Sequence, residues 1–256
     1  MPDANCKICD GTGWKIIERG GLSGAERCEC SYATQREATR SKSRIPPRYE
    51  EKSLDNFSES ADNPALQGLG TAKRSVLTFL RHFPTGEPPG LLLIGDTGCG
   101  KTHLAIGAMK VLMERGHECV FFDYQSLIDS IRSGWDAASG TSDKEAYRTA
   151  LDAEVLMIDD LGAHRVVDWV EDTITAIITH RANHNKPLIA TTNLPDPDVT
   201  GRVKEGETVG GMPLYKKTLS ELIGLRARSR LFEMCHIVQM PSVRDYRVQH
   251  GRIVKL

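Results

Sequence analysis

Four cysteines stand near the start of the chain, Cys6 and Cys9 as C-x2-C and Cys28 and Cys30 as C-x-C, with eighteen residues between the pairs. Four thiolates can close a tetrahedral zinc site, and each close pair lets one turn present two sulfurs to the same ion. Gly11 and Gly13 suit the tight turn beneath such a site, because glycine tolerates positive φ. A second group lies in LLLIGDTGCGKT, residues 91–102. There an apolar strand runs into G-x4-G-K-T, made of Gly95, Asp96, Thr97, Gly98, Cys99, Gly100, Lys101 and Thr102, with His103 directly after it. In this pattern the backbone N–H groups surround nucleotide phosphates, the lysine reaches the β and γ phosphates, and the threonine hydroxyl holds Mg2+. ATP, Mg2+ and Zn2+ are therefore the expected ligands.

Further along, EVLMIDDLG is an apolar strand that ends in Asp159 and Asp160. Beside a P-loop such acids divide the work, Asp159 joining the magnesium shell with Thr102 and Asp160 orienting the attacking water. KPLIATTNLP is another buried strand, ending at Asn193. Near the end, ELIGLRARSRLFEMCHIVQMPSVRDYR supplies Arg226, Arg228, Arg230 and Arg247. On a helix Arg226 and Arg230 share a face and Arg228 points away, so the two sets have different tasks.

These residues need a frame, and the spacing of apolar positions provides one. KTHLAIGAMKVLMERG places Leu104, Ala108, Val111 and Leu112 on one helical face before Gly116 ends the helix. Val170, Ile174, Ile177, Ile178 and Arg181 repeat at the same spacing. Strands alternating with helices predict an α/β fold with a parallel sheet, in which HIVQM completes a fifth strand. Residues 31–52 are polar and rich in Lys and Arg, with Pro46 and Pro47, which reads as a short helix and a linker. The expected organisation is a zinc module at 1–33, a helix and linker at 34–52, and the ATPase domain at 53–256.

Composition narrows the class. A net charge of −1 over 256 residues argues against a uniformly basic nucleic-acid binder. No apolar run reaches membrane length and the start lacks a signal peptide, which points to a cytoplasmic protein. In a reducing compartment seven cysteines speak for metal binding or packing rather than disulfides. About thirty residues offer too little core to fold alone, and a structural zinc contributes on the order of 10 kcal/mol of folding free energy. Trp14, Ile16, Ile17 and Leu22 are the side chains expected to pack around it.

The order G-x4-G-K-T, IDD, TTN, paired helix arginines and DYR resembles the AAA+ helicase loaders of the DnaC/DnaI type and their relatives, the IstB transposition ATPases, over residues 45–256. The resemblance implies a five-stranded parallel sheet of order 5-1-4-3-2 flanked by helices, without a full helical lid. It implies that Arg48, Tyr49 and Phe57 of IPPRYEEKSLDNF lie near the adenine. It also implies that Asn193 is sensor 1, Arg230 an arginine finger reaching a neighbouring subunit, and Arg247 sensor 2. Asp160 is one methylene shorter than the glutamate commonest in AAA+ ATPases, so slow or partner-dependent hydrolysis is expected. CKICDGTG resembles one unit of the DnaJ-type repeat, but those chaperones carry several units. DnaI-type loaders carry a zinc-bearing module that engages the helicase, whereas IstB-type proteins usually begin with helices. The implied partners are a DnaB-type hexameric helicase, single-stranded DNA and further copies of the chain, with no membrane. Lys144 and Arg148 occupy the place where loaders grip DNA, residues 195–219 are expected to form a mobile loop, and residues 202–256 carry eleven Lys and Arg against five acids.

Overall fold

The structure, a computed structural model, describes residues 4–19, 22–30, 42–57, 64–134, 144–163, 167–201, 208–209, 212–213 and 217–250. The first two strands, β1 (Trp14–Arg19) and β2 (Leu22–Arg27), form an antiparallel hairpin with Trp14 opposite Arg27. The main sheet contains β3 (Gly90–Ile94), β4 (Cys119–Asp123), β5 (Val155–Asp159) and β6 (Leu188–Thr192). A two-residue ribbon of β7 (Thr208–Val209) and β8 (Met212–Pro213) precedes the last sheet strand, β9 (Cys235–Gln239). The order across the main sheet is β4-β5-β6-β3-β9, all parallel. Counted within this sheet from the β9 edge, that is the expected 5-1-4-3-2.

GLLLI, VLMID and LIATT are buried throughout, which is why they read as continuous apolar runs: helices cover both faces of a parallel sheet. The two-residue period splits β3 between the layers. Leu91 and Leu93 pack with α1 (Pro64–His82) and α2 (Lys101–Glu114). Leu92 and Ile94 face the other layer. That layer holds α3 (Tyr124–Ser133), α4 (Lys144–Asp152), α5 (Asp168–Asn183), α7 (Leu219–Ile223) and α8 (Leu225–Met234). The short helix α6 (Pro197–Thr200) follows β6, and α9 (Tyr246–His250) closes the described chain after β9. Among the described residues no helical lid follows the sheet, and no helix is long and apolar enough to cross a membrane.

Residues 42–57 run past the β4 edge of the sheet and pack onto the α1–α2 layer. The Phe121 N–H donates to the Ser43 carbonyl at 2.8 Å, pairing the outer edge of β4, and Arg44 lies over the Phe122 ring. Lys110 on α2 donates to the carbonyls of Tyr49, Glu50 and Lys52. An edge strand left open would present unpaired donors to other chains, and this segment blunts it.

Two expectations need correction. Trp14 and Ile16 are 51% and 82% exposed, because a two-stranded hairpin has no second layer to cover the face on which both side chains stand. Residues 195–201, expected in a mobile loop, are anchored through the fully buried Asp196 and α6, while 202–207, 210–211 and 214–216 lie outside the described residues.

Candidate functional site

The phosphate-binding loop leaves β3 at Ile94, and the Gly95 N–H donates to the Thr192 carbonyl at 3.2 Å, fixing the loop to the end of β6. Gly100 caps α2 with φ of 95°, and a methyl group there would stand 2.8 Å from the Phe57 ring. Only glycine satisfies both the left-handed backbone and the close approach. The Lys101 ammonium donates to the Gly95 and Asp96 carbonyls, each at 2.8 Å, and is 5% exposed. It is held as a point charge within its own loop, where phosphate oxygens are the natural competing acceptors. Cys99 is buried beneath the loop, and burial pushes its thiol pKa up, which makes it a packing residue rather than a reactive one.

The segment after β9 clasps the loop from outside. Ser242 donates to Asp96 Oδ2 at 3.2 Å, the Tyr246 N–H donates to the Gly98 carbonyl at 3.3 Å, and Asp245 is packed against Gly98 where a side chain would clash.

Asp159 is 1% exposed at the end of β5. Its Oδ1 accepts from Thr102 Oγ1 at 2.9 Å and from Thr191 Oγ1 at 2.7 Å. Burial raises its pKa and the neighbouring Asp160 and Asp123 charges add to this, outweighing the two hydroxyl bonds. A buried carboxylate beside a threonine hydroxyl, with the Asp160 and Asp123 charges near it, suits a hard divalent cation such as Mg2+. Asp160 turns out of the strand with φ of 53°, and its N–H donates to Thr191 Oγ1 at 3.0 Å.

Asn193 follows β6 directly and is half-buried. Tyr49 stands within electrostatic reach of Asp159, Arg48 and Arg247: burial first and then the Asp159 charge raise its pKa, while the two arginines oppose this. The Arg48 guanidinium lies over the Tyr49 ring at 4.5 Å. The loop, both acids and Asn193 therefore lie at the C-terminal ends of the sheet strands, where ligands of open α/β sheets bind, and the Tyr246 bond to Gly98 brings the Arg247 segment to the same end. Phe57 instead lies inside the core, 6% exposed, with its ring edge-on to His103 at 5.2 Å. Phe57 packs against the start of the loop helix at Gly100, and His103, on that helix, ties it to Ser53 and Asn56. Arg230 is exposed on α8 and paired with Glu233 at 2.6 Å. Motif reading missed Thr191, the Ser242–Asp245 clasp and the pairing of Arg228 with Asp196. A polar residue one position inside a buried strand end was the signal for Thr191.

At the N-terminal knuckle the sulfurs of Cys6 and Cys28 are 3.7 Å apart, those of Cys9 and Cys30 3.4 Å, and all four ligand atoms lie within 4.8 Å of one another. Four sulfurs about 2.3 Å from one tetrahedral ion stand about 3.8 Å from each other, so the cluster has the dimensions of a zinc site. Gly11 and Gly13 both have φ of 78°, and the Gly13 N–H donates to Cys9 Sγ at 3.3 Å, as an outer partner to a metal thiolate does.

A parallel sheet of this order with a P-loop, an acidic strand end and a polar residue on the adjoining strand defines an ATPase of the AAA+ class. The family model for IstB-like ATP binding proteins matches residues 56–199, more than half of the chain, and the chain belongs to that family. It is 22% identical over 197 residues to the replicative helicase loader DnaC of Escherichia coli K12, covering 75% of this chain and 78% of DnaC. It is 26% identical over 176 residues to YqaM of Bacillus subtilis, covering 66% of this chain and 55% of YqaM, so it spans about half the length of that relative. A crystal structure of the DnaC helicase loader superposes with a TM-score of 0.60 at 27% identity, over 76% of this chain and 99% of that one.

Proposed function

We propose that this chain is an ATP-dependent loader that places a DnaB-type hexameric replicative helicase onto single-stranded DNA and lets go on hydrolysis. The observation that carries the reading is the four-sulfur knuckle preceding an AAA+ site, a combination suited to a small zinc-held recognition module tethered to a nucleotide switch. The similarity to DnaC supports it. In this reading Lys101 and the loop N–H groups hold the ATP phosphates, and Thr102 and Asp159 hold Mg2+, which supplies charge to the phosphate oxygens. Asp160 orients the attacking water, Asn193 senses the γ-phosphate, and Arg247 reads it within the subunit. Arg230 breaks its pairing with Glu233 to reach a neighbouring copy's phosphates, so assembly is part of the active state. Cys6, Cys9, Cys28 and Cys30 hold Zn2+, and the chain works in the cytoplasm.

A second reading is an IstB-like transposition ATPase acting on duplex DNA with a transposase, and the family match over residues 56–199 favours it. One experiment separates the two. Tagged chain with a non-hydrolysable ATP analogue captures partners from the native host's lysate, with mass spectrometry as readout. Capture of the replicative helicase, lost in a Cys6→Ser/Cys9→Ser variant, is the loader result. Capture of a transposase without helicase overturns it in favour of the second reading, and capture of neither overturns both.

A further inference from the structure

Arg228 on α8 is held by a two-pronged fork. Its Nε and Nη2 donate to the two oxygens of Asp196, both at 2.6 Å, and Nη2 also reaches Asp198 Oδ2 at 2.6 Å. The guanidinium lies over the Phe232 ring at 4.2 Å. Asp196 is fully buried and already has a local task, accepting the Asp198 N–H to cap α6. Bidentate bonding from arginine to carboxylate fixes geometry as well as charge, which a lysine does not reproduce.

The fork joins two segments whose neighbours carry the reaction. Asp196 is three residues beyond Asn193, and Arg228 is two residues before Arg230 on α8. The path from the acids to this fork is continuous. The Leu161 N–H donates to the Thr191 carbonyl at 2.8 Å, and Thr192 Oγ1 donates to the Leu161 carbonyl at 2.9 Å. Leu194 is packed against Gly162, where a side chain would clash. The Leu219 N–H at the start of α7 donates to the Pro195 carbonyl at 3.0 Å. A displacement at the end of β5 or β6 therefore meets a rigid strut before it meets solvent.

We propose that Arg228 is a positioning residue: through Asp196 it locks the helix presenting Arg230 to the strand end carrying Asn193, so that the state of one subunit's nucleotide sets the placement of Arg230 towards its neighbour. This rests on the arginine-finger role of Arg230. The bonds of Arg228 go to Asp196 and Asp198, and its effect runs through the placement of α8. Spatial continuity alone does not establish coupling, so the test is a double-mutant cycle.

Steady-state ATPase of the full chain is measured for wild type, Arg228→Lys, Arg230→Ala and the double variant, with ATP affinity by fluorescent-nucleotide titration and Tm for each. Arg228→Lys keeps the charge and loses the fork, and misplacement of a reacting group costs on the order of tenfold or more. The expected result is a kcat about tenfold lower with KM and ATP affinity within about twofold, and no further loss when Arg228→Lys is added to Arg230→Ala. Asp196→Asn, which keeps a cap acceptor, reproduces the pattern if Arg228→Lys fails to fold. Wild-type kcat in Arg228→Lys, or an equal loss in both backgrounds, overturns the coupling and leaves the finger role standing. Unchanged kcat in Arg230→Ala alone overturns the finger role and the coupling with it. Helicase capture is untouched by any of these outcomes and judges the loader reading separately.

Discussion

Thr191 donates its hydroxyl to Asp159 Oδ1 at 2.7 Å and with the same oxygen accepts the N–H of Asp160 at 3.0 Å. One side chain on β6 thus fixes the carboxylate proposed to share a metal ion and the backbone turn carrying the carboxylate proposed to orient water. Asp160 needs this support, because a non-glycine residue with φ of 53° lies in the sparsely populated left-handed region.

Thr191→Val keeps the branched shape and removes the hydroxyl. The Asp160 N–H then has no bond to Thr191 and Asp159 loses one of its two hydroxyl donors, each at a cost of about 1 to 3 kcal/mol where no water replaces it. The expected outcome is a kcat lowered at least about tenfold, with ATP affinity within about threefold because the phosphate loop is intact. Stopped-flow phosphate release alongside nucleotide titration checks this. A proportionate loss of both quantities would show that Thr191 supports binding rather than the hydrolytic step.

The sheet was legible because parallel strands buried on both faces leave unbroken apolar runs, and because glycine, lysine and paired acids mark their ends. LLLI, VLMID and PLIATT give the strands, and Lys101, Asp159 and Asn193 gather at one end as the motif order implies. What escaped reading depends on contacts far apart in sequence. Arg228 finds Asp196 thirty-two residues away, and Asp245 packs on Gly98 across most of the domain. No local pattern encodes such pairs. Trp14 and Ile16 were misread for the opposite reason, since apolar character says a side chain can be buried but not whether a second layer exists.

Arg181 explains an anomaly in the stripe of α5, a charged residue at an apolar position with no exposure. Its Nη1 donates to the carbonyls of Ala150, Leu151 and Ala153, and its Nη2 to those of Glu154 and Pro187. It closes the end of α4 and the starts of β5 and β6 together. Burial lowers its pKa to about 10, which still leaves it charged at neutral pH. Arg181→Met should cost at least about 3 kcal/mol, since several buried carbonyls lose their donor. For a domain of this size that is a fall in Tm of about 6 to 12 °C, measurable by scanning calorimetry. A change under about 2 °C would mean that water replaces the guanidinium.

Zinc should be present at one ion per chain by elemental mass spectrometry, and Cys6→Ser/Cys9→Ser should abolish it. Because the knuckle has little core beyond its sulfurs, a chelator should unfold the β1–β2 hairpin, visible as loss of amide protection. ATP hydrolysis by the AAA+ domain should persist. Retained protection in metal-free protein would show that the hairpin folds without the ion.

His103 ties the segment before the P-loop to α2. Its Nε2 is 2.9 Å from both the Ser53 carbonyl and Asn56 Oδ1, two acceptors, so the proton is assigned to Nε2, with the ring edge-on to Phe57. Burial lowers its pKa below the ordinary histidine value, and the charges of Lys52, Lys110 and Lys73 act in the same sense, against the Ser53 carbonyl. As pH falls below about 6.5 the unfolded chain takes up this proton before the folded chain does. Stability from this group is therefore full above that value and is lost as pH falls through the lowered folded-state pKa. His103→Gln retains an N–H donor and removes the titration. Tm measured from pH 7.5 to 5.5 should fall more steeply in wild type than in His103→Gln, with the two curves converging in shape above pH 6.5. Curves that stay parallel across the whole interval would assign the acid sensitivity to other groups and leave His103 as a brace without a pH-dependent role.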